Sequence, residues 1–179
     1  MPPAPADRSA SDRVRWAVDR LDVQPADRIL EIGCGHGAAV SLICERLDGG
    51  HVVAVDRSEK MIAAAMARNA RAVEAGMAAF LLGDVADVDL GAWHFDTAFA
   101  LSVPVFLRGD PSRELDAIRS RLVPGGRLYV LEQPPGEASV PAVAERLGAA
   151  LDHPGFEVER VAIDPLEGVS GVCAVTVAI

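Results

Sequence analysis

The sequence has 179 residues, which is enough for one domain with a buried core and short for two. Half of the residues are hydrophobic and 24% are charged, and no apolar run reaches the roughly 20 residues that a membrane-spanning helix needs. The 26 acidic residues outnumber the 17 Lys and Arg, and the net charge of −9 repels polyanions. Neither nucleic acid nor an anionic membrane is therefore an expected partner.

The N-terminal stretch "MPPAPADRSASD" lacks the basic start and apolar segment of a signal peptide, so we expect a cytoplasmic location. Its Pro, Ala and Ser content predicts a flexible arm over residues 1–11, followed by one domain over residues 12–179. The three cysteines, Cys34, Cys44 and Cys173, are odd in number and have no CxxC spacing. This argues against a disulfide framework and a structural zinc site, and we expect reduced thiols.

The chain from Asp12 onward alternates between helical and strand patterns. Asp12 is expected to cap a first helix that places Val14, Trp16 and Val18 roughly on one side and ends before Pro25. The strands predicted next are Arg28–Ile32, Val52–Asp56, Ala79–Leu82, Phe95–Ala100 and Arg127–Glu132. The helices between and after them are predicted at Ala38–Leu47, from Ser58 to Ala75, from Asp110 and Pro111 to Leu122, and near Val140–Leu151. This alternation predicts an α/β domain, a doubly wound and mostly parallel sheet with helices on both faces.

The C-terminal part has a different pattern. The runs "FEVERVAI" and "GVCAVTVAI" are joined by "DPLEGVSG", which is too short and too rich in Gly and Pro to form a crossover helix. The sheet is therefore predicted to end in an antiparallel strand pair.

The segment "ILEIGCGHGAAV" has three glycines behind a strand that carries Glu31. The arrangement Gly33-x-Gly35-x-Gly37 followed by a helix would put bare backbone N–H groups and a helix N-terminus at the carboxyl end of a central strand. Open α/β sheets bind ligands at this place, but a glycine motif alone is weak evidence, because many tight turns contain one.

Two aspartates at the ends of the next strands strengthen the prediction of a ligand site. Asp56 ends the second strand roughly 20 residues after the first glycine, where a carboxylate can accept both hydroxyls of a ribose. The alternative role for Asp56 is to cap the helix that starts at Ser58. Asp84 in "LLGDV" follows the third strand, and its alternative role is that of an ordinary turn residue. Three such features on successive strand ends favour a shared nucleoside pocket.

Two families use this layout. Dinucleotide dehydrogenases prefer G-x-G-x-x-G, and Ala38 at the third position is an allowed replacement, so they are the second choice. The ordered set "LEIGCGHG", "VVAVDRS", "LLGDV", "FDTAFAL" and "LVPGGRLYVLEQP", followed by an antiparallel strand pair, resembles instead the class I S-adenosylmethionine-dependent methyltransferases with a Rossmann-like fold. The likeness runs from about Trp16 to Ile179, nearly the whole chain.

The resemblance implies S-adenosylmethionine as cofactor and assigns its binding residues. The first loop would hold the methionine part, Asp56 the ribose hydroxyls, Arg57 one side of adenine, and Asp84 with the Val85 N–H the adenine edge. Two residues at the end of the fourth strand would border the methyl group. The full implied set is Glu31, Gly33, Cys34, Gly35, Gly37, Asp56, Arg57, Gly83, Asp84, Val85, Ala100 and Leu101.

The acceptor is predicted to be a small molecule methylated at O, N or C by direct displacement. The stretch "ALSVPVF" lacks the Asn/Asp-Pro-Pro-aromatic tetrapeptide that resembling families use for planar amino groups. His36 and Glu132 are weak candidates for a general base, and no spacing of ligand residues indicates a metal. A non-catalytic cofactor-binding module and an NAD(P)-dependent oxidoreductase stay open as alternatives.

The connection after the fifth strand bears on what covers the substrate side. Only about seven residues, Gln133 to Ser139, separate that strand from the next helix, where larger relatives carry a substrate lid. We therefore expect a pocket that is open unless the N-terminal arm covers it or a homodimer completes it.

Overall fold

A computed structural model describes residues 11–179. Its strands are β1 (Arg28–Ile32), β2 (His51–Asp56), β3 (Ala78–Leu82), β4 (Phe95–Leu101), β5 (Leu122–Glu132), β6 (Phe156–Asp164) and β7 (Gly171–Ala178). Its helices are α1 (Asp12–Arg20), α2 (Ala38–Cys44), α3 (Glu59–Arg68), α4 (Ala70–Glu74), α5 (Val105–Arg108), α6 (Ser112–Arg121) and α7 (Val140–Ala150). The predicted N-terminal arm lies, except for Ser11, outside the described residues.

All the strands of the described region form a single sheet in the order β3-β2-β1-β4-β5-β7-β6. Neighbouring strands from β3 to β5 are parallel, whereas β7 is antiparallel to both β5 and β6. The predicted fold class, a mostly parallel Rossmann-like sheet with an antiparallel C-terminal pair, is confirmed.

The strand directions decide where a ligand site can form. β1 pairs in parallel with β2 on one side and with β4 on the other, and β2 pairs in parallel with β3. The carboxyl ends of these strands therefore lie along one edge of the sheet. The chain changes sides after β3, because the next strand is added beyond β1, and such a switch point opens a crevice at this edge.

Two hydrophobic clusters, one on each face of the sheet, hold the layers together. The first includes Trp16 of α1, Ile43 of α2 and Phe99 of β4. The second includes Leu115 of α6 and Leu147 of α7. Because the central strands are buried on both faces, they carry continuous apolar runs rather than an alternating pattern.

A buried polar contact fixes α1 against the end of the sheet. Trp16 Nε1 donates to Asp164 Oδ2 at 3.0 Å, and Arg20 pairs with the same carboxylate. A Cβ on Gly171 would lie 2.6 Å from the Trp16 ring, so a glycine is needed there. This anchoring brings the first turn of α1 to the end of β4, where it contributes to the site described below.

Several predicted boundaries were wrong in detail. The first helix is capped at Ser11, so Asp12 lies in its first turn instead. The single helix predicted from Ser58 to Ala75 is two helices, with a break at Asn69, whose φ of −107° and ψ of 22° depart from helical values. β5 begins at Leu122, because that residue already pairs with β4 ahead of a register shift.

Two further observations concern the helices. α5 was not predicted at all, since four residues carry too little periodicity to be recognised. Within residues 11–179, none of the helices has both the length and the apolar composition that crossing a bilayer requires.

Candidate cofactor site at the carboxyl ends of the strands

The glycine loop between β1 and α2 is fastened to β2 by its own backbone. Gly33 N and Cys34 N both donate to the Val55 carbonyl, at 2.8 and 3.1 Å. Gly35 N donates to Asp56 Oδ2 at 2.8 Å. The sequence predicted bare N–H groups here, and the structure corrects this, because these three donors already have acceptors within the protein. These three N–H groups are therefore not available to a phosphate group.

Each glycine of the loop has its own reason to lack a side chain. All three have left-handed backbones, with φ of 73° at Gly33, 52° at Gly35 and 75° at Gly37. A Cβ on Gly33 would lie 2.7 Å from Val103 Cγ2, and one on Gly37 would lie 2.6 Å from Asn69 Nδ2. A Cβ on Gly35 would meet no heavy atom within 4 Å among the described residues. Of these three glycines, Gly35 is the one at which an added side chain would extend into open space.

Asn69, at the break between α3 and α4, locks the loop from behind. Its buried Nδ2 donates to the carbonyl of Gly37 at 3.0 Å and to that of Ala65 at 2.9 Å, and its Oδ1 accepts from Ser41 Oγ at 2.8 Å. One side chain thus joins the glycine loop, α2 and α3. The helix break is explained by these bonds, which fix the Asn69 side chain between the elements.

The Glu31 carboxyl group lies in an environment that disfavours its charge. Its side chain is 4% exposed, and its Oε2 is buried with no hydrogen-bond partner among residues 11–179. Burial, with a smaller contribution from the charge of Asp56, raises the pKa of Glu31 from 4.5 to about 8. A buried polar atom without a partner is costly, and a bound cation is one way to relieve this cost.

Asp56 at the end of β2 is fixed by two backbone donors. Its Oδ2 accepts from Gly35 N and its Oδ1 accepts from Ser58 N, each at 2.8 Å. The helix cap itself is provided by the hydroxyl of Ser58, which accepts from Met61 N at 3.4 Å. Because a carboxylate has about four acceptor positions, two are left for a ligand's hydroxyl groups.

Asp84, just after β3, has a similar arrangement. Its Oδ1 accepts from Ala86 N at 3.0 Å, and its Oδ2 lies 3.7 Å from Arg57 Nη1. The Arg57 side chain is 74% exposed and can swing over the opening of the crevice. Asp84 thus offers a carboxylate fixed by a backbone donor beside an exposed guanidinium.

Asp56, Arg57 and Asp84 border a cleft of about 260 Å³. One wall comes from β1, β2 and the turn after β3, and the facing wall comes from the segment between β4 and α5. The lining residues are Ile32, Gly33, Val55, Asp56, Arg57, Gly83, Asp84, Val85, Ser102, Val103, Pro104, Val105 and Glu114. The cleft is thus polar beside Asp56 and Asp84 and apolar beside Val103 to Val105.

The three cysteines are free, and burial raises the pKa of each thiol, to about 11 for Cys44 and Cys173. They are therefore neutral packing groups at neutral pH. Within residues 11–179, no group of three or more His, Cys, Asp or Glu side chains is placed to hold a metal ion.

The sequence profile of the family described as "Methyltransferase domain" matches residues 30–128, more than half of the chain. The chain belongs to the class I methyltransferase family. The matched segment runs from β1 into β5 and so contains every strand end that borders the cleft.

Two curated proteins are similar to most of this methyltransferase domain. Nocamycin O-methyltransferase of Saccharothrix syringae is 32% identical over 150 residues, which cover 77% of this chain and 50% of that protein. An uncharacterized 37.1 kDa transposon protein of Streptomyces fradiae is 30% identical over 146 residues, covering 80% and 37%. The chain therefore spans half or less of the length of these two curated relatives.

A solved structure shows the same fold. The crystal structure of a SAM dependent methyltransferase from Aquifex aeolicus superposes with a TM-score of 0.70 at 18% sequence identity. The superposition covers 97% of this chain and 94% of that one, so the whole described methyltransferase fold is shared.

The structure places the sequence-predicted residues in three groups. Six line the cleft, namely Gly33, Asp56, Arg57, Gly83, Asp84 and Val85. Four belong to the loop or lie behind it, namely Glu31, Cys34, Gly35 and Gly37. Ala100 is fully buried inside β4, and Leu101 packs partly against the hydrophobic core, so neither is part of the cleft lining.

The two candidate bases have different surroundings. His36 is exposed in the loop and is not among the described residues that line the cleft. Glu132, at the end of β5, accepts a 3.0 Å hydrogen bond from Ser102 Oγ, and Ser102 does line the cleft. Burial raises the pKa of Glu132, while the bond from Ser102 and the charge of Arg13 oppose the shift.

Sequence reasoning missed the wall between β4 and α5. Ser102 follows β4 and has a φ of 57°, which turns the chain sharply at the strand end. The position of this segment, directly after a predicted strand at the ligand-binding edge of the sheet, could have indicated that it borders the site. The left-handed turn was not indicated, because serine rarely adopts it.

Proposed function

We propose that this chain transfers the methyl group of S-adenosylmethionine to a small-molecule acceptor. The observation that carries the proposal is the Glu31 carboxyl group, buried behind the glycine loop with an oxygen that lacks a partner in the described part of the chain. S-adenosylmethionine brings an ammonium group and a sulfonium group, and either cation would stabilise the ionised carboxylate at this position. Membership of the methyltransferase family supports the same cofactor.

The other polar groups of the cleft fit the remaining parts of this cofactor. Asp56 would accept the ribose hydroxyls with the two acceptor positions that its backbone bonds leave. Asp84 and the Val85 N–H would bind the adenine edge, and Arg57 would lie along the ring. Gly35, with open space where a Cβ would be, lets the methionine part approach the backbone.

The cofactor supplies a methyl group on a good leaving group, so the chain contributes mainly by alignment. Its loop and strand ends would hold the cofactor on one wall of the cleft. The segment from Ser102 to Val105 would hold the acceptor on the other wall. The similarity to nocamycin O-methyltransferase of Saccharothrix syringae supports a small-molecule acceptor. We propose direct displacement at the methyl carbon within this geometry.

The loop geometry argues against an NAD(P)-dependent oxidoreductase. A dinucleotide places its pyrophosphate against free N–H groups at such a loop. Here Gly33, Cys34 and Gly35 donate to protein acceptors. The carboxylate of Asp56, which accepts from the loop at Gly35, would also repel a phosphate.

Variants at Asp56 test the proposal. Asp56→Ala should weaken S-adenosylmethionine binding by at least tenfold, because the ribose loses its acceptor and the loop loses its anchor at Gly35. Asp87→Ala removes an exposed carboxylate nearby that pairs with Arg113, and it should leave the affinity unchanged.

Turnover is tested in the same preparations, by measuring S-adenosylhomocysteine release with a set of hydroxyl, amine and thiol acceptors. Binding together with release supports the proposal. Tight binding without release from any acceptor would favour a non-catalytic binding module.

A further inference from the structure

Ser102 sits at the junction of three elements beside the cleft. It follows β4, and its Oγ donates to Glu132 Oε1 at the end of β5, at 3.0 Å. The same oxygen accepts from Arg13 Nη1, in the first turn of α1, at 3.3 Å. Its backbone has a φ of 57°, which is unfavourable in a residue other than glycine and persists only where the surroundings impose it. The strained turn directs the chain toward the β5 edge.

The hydrogen-bonding capacity of this hydroxyl defines what can bind to it. A serine hydroxyl has one hydrogen to donate and two lone pairs that accept. Glu132 takes the hydrogen and Arg13 occupies one lone pair, so a single acceptor position is left on a side chain that lines the cleft. A ligand group that meets Ser102 must therefore bring a hydrogen of its own. A carboxylate or a thiolate has none and cannot form this hydrogen bond to Ser102.

The surroundings of Glu132 suit it to receive a proton. The carboxyl group is partly buried, and burial raises its pKa above the ordinary value. The groups that lower it are the Ser102 hydroxyl, the Arg13 charge, the backbone N–H of Gln133 and, with the smallest effect, the Arg108 charge from α5. A carboxylate whose pKa is raised toward neutrality is a better match for a proton that leaves a reacting hydroxyl.

We propose that Ser102 binds the methyl acceptor through a hydroxyl hydrogen and relays that proton to Glu132, so that the substrates are hydroxyl compounds that enter un-ionised. This rests on the proposed methyl transfer. The acceptor oxygen forms a bond to the methyl carbon as the carbon–sulfur bond breaks, and the electron pair of that bond stays on sulfur. The acceptor proton passes to Ser102 Oγ while the Ser102 proton passes to Glu132 Oε1. Arg13 is a positioning residue that holds the hydroxyl in its orientation.

The binding part of the inference can be measured without turnover. Protein saturated with S-adenosylhomocysteine is titrated calorimetrically with phenol, anisole and benzoate. Anisole has the same ring and oxygen as phenol but lacks the hydroxyl hydrogen. Phenol should bind at least tenfold more tightly than the other two. In Ser102→Gly, which removes the hydroxyl at a backbone conformation that suits glycine, phenol affinity should fall to that of anisole. Equal binding of phenol and anisole to the parent protein would overturn the inference.

The relay is tested by turnover and its pH dependence. With phenols, enols and aliphatic alcohols as acceptors, Glu132→Gln should lower kcat by about 100-fold or more, the range of general base catalysis, without changing S-adenosylmethionine affinity. Glu157→Gln, an exposed carboxylate on β6, is the matched control and should behave as the parent. Arg13→Gln should move the acid limb of the pH–rate profile to higher pH, because the Arg13 charge lowers the pKa of Glu132.

The outcomes separate this inference from the proposed function. If S-adenosylmethionine does not bind, the proposed function fails. If it binds, but only amines or thiols are methylated or no hydroxyl compound is turned over, the hydroxyl assignment alone is overturned. A Glu132→Gln variant with full activity toward hydroxyl compounds would likewise overturn the relay.

Discussion

Replacement of Glu31 by glutamine should change how the stability of the ligand-free protein depends on pH. The pKa of Glu31 is raised from 4.5 in the unfolded chain to about 8 in the folded protein. Between these values the folded state holds a proton that the unfolded state has lost, so the free energy of unfolding falls as pH rises. Each pKa unit corresponds to 1.36 kcal/mol, and the whole window therefore amounts to as much as about 5 kcal/mol.

Glu31→Gln removes this titration and keeps the size and polarity of the side chain. We expect the variant to match the parent protein at about pH 5 and to be several kcal/mol more stable at about pH 9, in urea unfolding followed by circular dichroism. All other titrating groups are the same in both proteins, so the difference between their stability profiles isolates Glu31. Parallel profiles across this range would refute the reasoning.

The same carboxyl group predicts a proton linkage to cofactor binding. At pH 7 Glu31 is mostly protonated in the ligand-free protein, and a cation bound beside it would favour the ionised form. Binding of S-adenosylmethionine should therefore release up to one proton, measured by calorimetry in two buffers of different ionisation enthalpy. Glu31→Gln should abolish this release, and an equal release from both proteins would show that another group is responsible.

Three further variants test the loop. Gly37→Ala should lower the free energy of unfolding by about 2 kcal/mol or more in denaturant titrations, because its Cβ would collide with Asn69 and Ala65. A loss of less than about 0.5 kcal/mol would contradict the close packing described around Gly37. Gly35→Ala should cost only about 1 kcal/mol of stability through backbone strain, but it should weaken cofactor binding in calorimetry. Retained affinity in the folded variant would show that the ligand does not contact the backbone at Gly35. Asn69→Ala should cost about 1–3 kcal/mol, because it removes the hydrogen bonds that join the Gly37 and Ala65 carbonyls and Ser41 Oγ. Unchanged stability would be the contrary result.

Sequence patterns were sufficient for the strands and for the acids at their ends. Ile29, Leu30 and Ile32 form an apolar run with Glu31 inside it, and the run "HVVAVD" ends at Asp56 in the same way. Such runs are local signals, and a parallel sheet places their carboxyl ends along one edge. The positions of Asp56 and Asp84 at the cleft follow from these local signals and the topology.

The features that sequence analysis missed depend on contacts between distant residues. The break at Asn69 is fixed by bonds to Gly37 and Ser41, far away in the chain, and local helix propensity does not reveal it. Ser102, with its left-handed backbone, is bonded to Glu132 and to Arg13, which are both distant from it along the sequence. In both cases tertiary hydrogen bonds override the local preference of the residue.

The most direct test of the account is a calorimetric titration of the protein with S-adenosylmethionine, S-adenosylhomocysteine and NAD⁺ in parallel. We predict micromolar binding of the two sulfur compounds and no binding of NAD⁺. The N–H groups of Gly33, Cys34 and Gly35 are engaged by Val55 and Asp56, and a cation would stabilise the ionised form of the buried Glu31 carboxyl group, whose Oε2 has no partner within residues 11–179. Binding of NAD⁺ without binding of either sulfur compound would contradict the assignment of this cleft.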